Sequence, residues 1–212
     1  MAAVILAAGS GTRLGGTAKA LIRIDGVPLV RRQIDALQVA GITDILVVTG
    51  DHHGAIAQVL APTGVRLVHN ADVAGGQGMS VRLGLQAVDT QADAVMVVLC
   101  DQPLLTPADL ADLVDAWSDH RGGDHDFVVP WVAGERRGNP VLASRRAVQA
   151  ILASDRYQAL RDYMDAHPES IVRMDTVNDH YIVDIDRAQD LVHVADRLGC
   201  EVTLPTAVDP RT

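Results

Sequence analysis

The sequence predicts an α/β fold built on a mostly parallel sheet. Three observations carry that expectation. Short Val/Ile-rich runs recur along the chain, they show little polar alternation, and stretches of helical periodicity lie between them. A run without alternation is apolar toward both faces, as a strand covered by helices on both sides must be. Strand and helix in alternation is the pattern of a sheet closed by helical crossovers.

The elements follow in order. The run AVIL at 3–6 is the first strand, and a glycine-rich loop follows it. Val30, Ile34 and Leu37 share one face of a helix that Gly41 is placed to stop. Further strands are expected at 45–48, 65–68, 94–100 and 127–132. Thr106 reads as an N-cap, with Pro107 at the first helical position and Asp109 in the first turn. Helices are also expected at 80–88, 145–152, 157–166 and 188–198, and two short strands around Gly138-Asn139-Pro140. The polar stretch SDHRGGDHD at 118–126 reads as a loop between a nucleotide half and a smaller substrate half, without being a domain linker. There is no internal repeat. Residues 1–202 are read as a single domain, and 203–212, with two prolines, as a loose tail.

The totals narrow the function. A chain of 212 residues that is 48% hydrophobic supports one full core. A formal net charge of -9 argues against nucleic acid and anionic membranes as partners, so any bound anion needs a local cationic pocket. Cys100 and Cys200 form no framework and no CxxC pair, which fits a reducing compartment. No apolar run reaches the ~18 residues of a membrane span, and AAVILAAG reads as structure and not as a leader. The cytoplasm is the expected location. One Phe, three Tyr and two Trp give no stacking platform for single strands. The eight histidines lack Cys or Glu partners at metal-ligand spacing and are expected at the surface, and Cys100 is expected to be a small buried residue.

The loop LAAGSGTRLGGTAK, Leu6 to Lys19, lies beyond the carboxyl end of the first strand, where open parallel sheets bind ligands. Its glycines let backbone N–H groups approach an anion, and Arg13 and Lys19 read as phosphate contacts. The competing reading is a solvated turn. The spacing is not that of a P-loop, because Thr17 stands where Lys is needed. It is not GxGxxG either, since the third glycine comes one residue late. Asp101 follows the 94–100 strand in CDQP and faces the same crevice, or else simply opens a turn before Pro103. In YIVDIDRAQDL, Asp184 and Asp186 are two apart and so on one face of a strand, with Asp186 alternatively a helix N-cap. GGQGMSVRLGLQAV, 75–88, is a second glycine loop entering a helix, with the Ser80 hydroxyl at the helix start for ribose or base contact or for capping.

The opening loop resembles the signature LAAGxGxRMGxxK of nucleotidyltransferases with the GT-A-like Rossmann fold. The resemblance implies a Rossmann-like three-layer sandwich. It implies that Leu6, Ala7, Ala8, Gly9, Ser10, Gly11, Arg13 and Lys19 hold an NTP triphosphate. Leu14 stands for the usual Met, and the gap to Lys19 is one residue longer. DQP resembles the family's Mg²⁺-binding step, giving Asp101 that role. The late segment resembles DIDTPEDL, which implies a second metal contact from Asp184, with Asp186 the alternate; Arg187-Ala188 replaces Thr-Pro. GGQGMS resembles the GGxGxS stretch near base and ribose, and assigns Gly76, Gly78 and Ser80 to the nucleotide.

Within the superfamily, GMS and GNPV are similar to molybdopterin cytidylyltransferases, although Arg82 replaces a second Ser. That branch implies an acceptor side formed by Arg137 and Asn139, with Arg136 nearby; the competing reading of this segment is a solvated basic hairpin. Guanylyltransferases of the branch read LAGG where this chain has Ala8, whose methyl crowds a purine, so CTP is favoured. The segment SDRYQALRDYMDAHPESIV follows the family's late helix, departing from GDxGAR at Ser154 and Arg156-Tyr157-Gln158. The expectation is a Mg²⁺-dependent enzyme moving CMP from CTP to a phosphate-bearing acceptor, molybdopterin first, with release of pyrophosphate. Its rivals are a sugar- or polyol-phosphate nucleotidyltransferase and a non-catalytic accessory protein delivering cofactor to a molybdenum hydroxylase. A pigment reductase, as in one unusual branch, ranks lower for want of a dinucleotide fingerprint.

Overall fold

The structure is a computed structural model that describes residues 1–89, 91–120, 123–154 and 159–205. It begins with β1 (Ala2–Ala7), a loop with two short 3-10 turns, and the small strands β2 (Arg23–Ile24) and β3 (Val27–Pro28). Then come α1 (Leu29–Val39), β4 (Asp44–Thr49), α2 (His53–Leu60), β5 (Arg66–His69) and α3 (Gly76–Ala87). The second half holds β6 (Ala94–Leu99), α4 (Pro107–Asp119), β7 (Phe127–Val132), β8 (Arg136–Arg137), β9 (Val141–Ser144) and α5 (Arg145–Ala153). It ends with α6 (Leu160–Ala166), β10 (Ile171–Thr176), α7 (Ala188–Leu198) and β11 (Val202–Thr203).

The main sheet runs β10-β7-β9-β6-β1-β4-β5, with β8 on β7. β1 pairs in parallel with both β4 and β6, β4 with β5, and β7 with β10. Only β8 and β9 run against their neighbours, so the sheet is mostly parallel as expected. β4 and β5 lie on one side of β1 and β6 on the other, so the strand order reverses between β1 and β6. That switch point opens a crevice beyond the carboxyl ends of the two strands.

The absence of alternation in β1 has its expected cause. Ala3 and Ile5 face one core with Ile34, Leu37, Leu110 and Leu113; Ala2, Val4 and Leu6 face another with Val81, Leu85, Val148 and Ile151. Helices therefore cover both faces, giving the three-layer α/β sandwich. Gly84 lets α3 sit close on the sheet: a Cβ there would lie 2.4 Å from Val4 Cγ1. Thr106 caps α4 in a reciprocal box with Asp109, and Gly41 (φ +85°) follows the end of α1.

Three features were not anticipated. β10, the outer strand beside β7, alternates half-buried and exposed residues and carries Arg173 and Asp175, so it lacks the all-apolar signature of the inner strands. α2 has only Ile56 and Leu60 fully buried, too few for a clear period. β2 and β3 form a hairpin about Asp25-Gly26, both at positive φ, and β11 adds a third strand to it. The expected tail thus begins inside β11, where Thr203 pairs with Arg23. The rest of that tail, 206–212, and residues 155–158 at the start of the expected 157–166 helix lie outside the described residues, as do 121–122 of the polar loop. None of the described helices is long and apolar enough to cross a membrane.

Candidate active site

The opening loop is held by its own backbone. Gly11 is left-handed (φ +58°), and its carbonyl accepts the N–H groups of Leu14 and Gly16. A Cβ at Gly11 would stand 1.8 Å from the Thr17 carbonyl oxygen, so only glycine closes this turn. Thr17 donates its hydroxyl to the Leu14 carbonyl. The residue inserted before Lys19 is absorbed by left-handed Gly15 and Gly16. Ala18, Ala20 and Leu21 are buried around Lys19 and anchor it.

Lys19 Nζ reaches across the crevice. It donates to Asp101 Oδ2 at 2.9 Å and to Asp186 Oδ1, and Arg13 donates to the other oxygen of Asp186 at 2.8 Å. Lys19 is the enclosed member, with 16% of its side chain exposed, whereas Arg13 is 66% exposed. Burial alone would lower the Lys19 ammonium, but Asp101 and then Asp186 outweigh it and raise the group above its ordinary value. The hydrogen bond from Lys19, with support from Arg13, holds the Asp186 carboxyl below the usual carboxylate range. Asp184 goes the other way. Though open to solvent on its outer side, its carboxyl is raised by desolvation first, and then by Asp101 and Asp186.

The expectation that Asp184 and Asp186 share the face of a strand is corrected. Residues 183–186 belong to no helix or strand and pair with none of the described strands. Buried Ile185 points into the core and donates its N–H to the Asp101 carbonyl at 3.0 Å. The flanking aspartates therefore come to the crevice through one backbone bond. Asp186 is not the N-cap of α7 either: Arg187 holds that position, and Asp190 Oδ2 accepts both the Asp186 and the Arg187 N–H. Gln102 adds a brace, accepting from Gln33 at its carbonyl and donating its side-chain amide to the Tyr181 carbonyl.

Beside this charged cluster lies a cleft of about 420 Å³. Its walls include Leu6, Ala7, Ala8, Gly9, Ser10, Lys19, Gly76, Ser80 and Asp101 of the predicted residues. Gly11, Arg13, Gly78, Asp184 and Asp186 do not line it. Ala20, Val73, Ala74, Gln77, Leu99 and Cys100 complete it and were not anticipated as lining residues, since nothing in their type marks a site. Ser80 is also corrected. α3 starts at Gly76, one turn earlier than expected, so Ser80 is an interior helical residue, buried at 4% exposure, and not a cap. Arg82 donates to the carbonyls of Ile151, Leu152 and Ser154 at the end of α5.

A second cleft of about 400 Å³ shares Leu6, Gln77 and Leu99 with the first. Arg137 and Asn139 line it, as do the apolar side chains of Val81, Val97, Val129, Val141, Leu160 and Met164. Arg137 is paired with Asp165 at 2.5 Å, and Asn139 donates its N–H to the Tyr181 carbonyl. The exposed Arg136 is not among the lining residues. Cys100 is buried, as expected, and its thiol is pushed up by desolvation and then by Asp101. None of the eight histidines is in the core.

A family model described as "MobA-like NTP transferase domain" matches residues 3–171. The chain belongs to this family. The match covers the opening loop, DQP, the second glycine loop and GNPV; the DID segment lies past its end. The proteins it resembles differ in what they are named for. Nicotine blue oxidoreductase of Paenarthrobacter nicotinovorans is 28% identical over 89% of this chain and 93% of its own length. A bifunctional protein GlmU of Sorangium cellulosum is 31% identical over 58% of this chain, but the matched part is 27% of that longer protein. The crystal structure of Rv0371c from Mycobacterium tuberculosis superposes with a TM-score of 0.78 at 22% identity, covering 92% of this chain and 98% of that one, and shows the shared fold.

Proposed function

We propose that the protein transfers CMP from CTP to a phosphate-bearing acceptor, molybdopterin first, and releases pyrophosphate. The observation that carries this reading is the pair of contiguous clefts at the switch point. One is walled by the glycine loop, Lys19 and Asp101, the other by Arg137, Asn139 and an apolar lining. An acceptor phosphate oxygen entering from the second cleft attacks the α-phosphorus of the nucleotide in line, and the bond to the β-phosphate oxygen breaks. Lys19, Arg13 and the loop N–H groups meet the charge that grows on the leaving pyrophosphate. Little covalent chemistry is asked of the protein beyond positioning. The apolar walls of Val129, Val141 and Met164 favour a flat, weakly polar acceptor body over a polyol.

The carboxylates suit Mg²⁺, which prefers hard oxygen donors. Asp101 with Asp184 or Asp186 would hold it, and bound there it would neutralise the phosphates. Among the described residues these groups do not already form a three-ligand cluster, because the Lys19 ammonium stands between Asp101 and Asp186. Lys19 has therefore to turn from the carboxylates to the phosphates as a nucleotide arrives. The test is a panel of four NTPs with pyrophosphate detection, with and without molybdopterin and with sugar and polyol phosphates as alternatives. Turnover only with a sugar phosphate would move the assignment to that rival. NTP binding without turnover would make the chain an accessory protein for a molybdenum hydroxylase.

One observation favours a second reading. Nicotine blue oxidoreductase, matched along 93% of its own length, is named an oxidoreductase. NAD(P)H oxidation with a quinonoid dye, run beside the panel, decides between the two.

A further inference from the structure

We infer that Asn70 sets the hydrogen-bond polarity of Ser80, leaving the hydroxyl proton as the group in want of a partner, so that the site favours a nucleotide acceptor atom there. This rests on the reading of the first cleft as a nucleotide site. Asn70 lies just after β5 and is 2% exposed. Its N–H donates to the Thr49 carbonyl at 2.8 Å, which ties it to the end of β4. Its Oδ1 accepts the N–H of Asp72 at 2.9 Å. A backbone N–H can only donate, so the amide oxygen has to face Asp72 and the amide cannot turn over. Nδ2 then faces Ser80 and donates to Oγ at 3.0 Å.

The consequence falls on Ser80, which lines the cleft. A hydroxyl has one proton and two lone pairs. One lone pair is engaged by Asn70, a second is left, and the proton is given to no protein group among the described residues. A ligand acceptor is what satisfies that proton. A nucleotide atom meeting it must be an acceptor, such as pyrimidine O2 or N3 or a ribose oxygen. A ligand donor could use only the remaining lone pair and would leave the buried proton without a partner. Asn70 is thus a positioning residue that acts through Ser80 and does not itself line the cleft.

The test reverses the polarity. Asn70→Asp keeps the shape and the bond from Asp72 but replaces the amide donor with an oxygen. Ser80 would then donate to that carboxylate and turn a lone pair to the ligand. CTP binding to the full chain is measured by calorimetric titration, with a thermal melt on each variant. Ser80→Ala should weaken CTP by about three- to tenfold, the loss of one hydrogen bond. Asn70→Asp should weaken it by about tenfold or more, but by under about threefold in the Ser80→Ala background, because its effect passes through the hydroxyl. Any repulsion between the new charge and the phosphates persists in that background and is subtracted. Equal losses in both backgrounds would overturn the inference while leaving the nucleotide site standing. If no NTP binds the wild-type chain, the nucleotide reading and this inference fall together. Ser80→Cys needs no change at Asn70 and covers the case in which Asn70→Asp does not fold. With only a weak S–H donor it should lose most of what Ser80→Ala loses, and full retention of CTP affinity would overturn the inference.

Discussion

The N–H of Ile185 donates to the carbonyl of Asp101 at 3.0 Å, and the side chains on either side of Ile185 are thereby held beside the Asp101 carboxylate. The bond joins the DQP loop to the segment before α7 through main chain alone. Side-chain substitution at Asp101 leaves it intact. Asp101→Asn should therefore fold normally and lose activity. Turnover is expected to fall by at least about 100-fold, the scale for removing a group that organises transition-state charge. Near-normal turnover in a variant with a normal melting curve would remove Asp101 from the chemistry.

Lys19→Ala and Arg13→Ala should each cost about 2–4 kcal/mol in the rate of the chemical step and less in CTP binding, because charge grows on pyrophosphate as the bond breaks. The losses should not add, since both cations meet one anion. The two should part company in stability. Lys19 is largely enclosed between carboxylates, so its removal leaves Asp101 and Asp186 facing each other. Arg13 is 66% exposed, and its pair is worth no more than about 1 kcal/mol. Single-turnover rates, titrated dissociation constants and denaturant midpoints separate the three effects. Equal losses in binding and rate would make the cations plain anchors.

Ala8→Gly should relax base choice. Ala8 lines the first cleft, and removing its methyl widens the space for a base. A competition assay of GTP against CTP should shift by about tenfold at most, the worth of one methyl in a pocket. Equal use of GTP and CTP by the unmodified chain would refute the steric argument.

Gly84→Ala should destabilise the fold by about 1–3 kcal/mol, since the new Cβ would press on Val4 Cγ1 at 2.4 Å in a packed layer. The gain in helix propensity, about 1 kcal/mol, opposes it. A denaturant midpoint that rises would mean that α3 can lift off β1 without loss.

Asp179 is held below the usual carboxylate range, first by its hydrogen bonds from Arg197. A carboxylate with a depressed folded-state value contributes stability at neutral pH and loses it as the pH falls below about 4. Arg197→Leu should flatten that part of the acid limb of melting temperature against pH. Both side chains are partly exposed, so the change should stay within about 1 kcal/mol. An unchanged acid limb would show the pair to be inert.

What was legible in the sequence was what is local in it. The glycine loop, DQP and Thr106-Pro107 announce themselves because turn, cap and anion chemistry act within a few residues. The inner strands showed through because each is apolar toward both faces. The spacing of Asp184 and Asp186 suggests a strand, but the segment is organised by bonds to Asp101, Lys19 and Arg13, all distant in the chain, which no periodicity encodes. Ser80 was seen as a ligand group and placed at the wrong point of its helix, since Gly75 and Gly76 looked like loop and Gly76 is the first residue of α3. Asn70 went unnoticed because HNAD reads as an ordinary turn, and its partner was visible only once β5 and α3 were packed together.

The reversed direction of β9 has an evolutionary consequence. Its amino end, with Gly138-Asn139-Pro140 before it, reaches the same edge of the sheet as the carboxyl ends of β1 and β6. Much of the second cleft is therefore walled by one contiguous stretch, from β7 to α6, while the first cleft is walled by the chain before it. Insertion, drift or recombination in the later stretch can reshape the second cleft without disturbing the first. A common scaffold serving relatives named for very different activities is what such modular inheritance would produce.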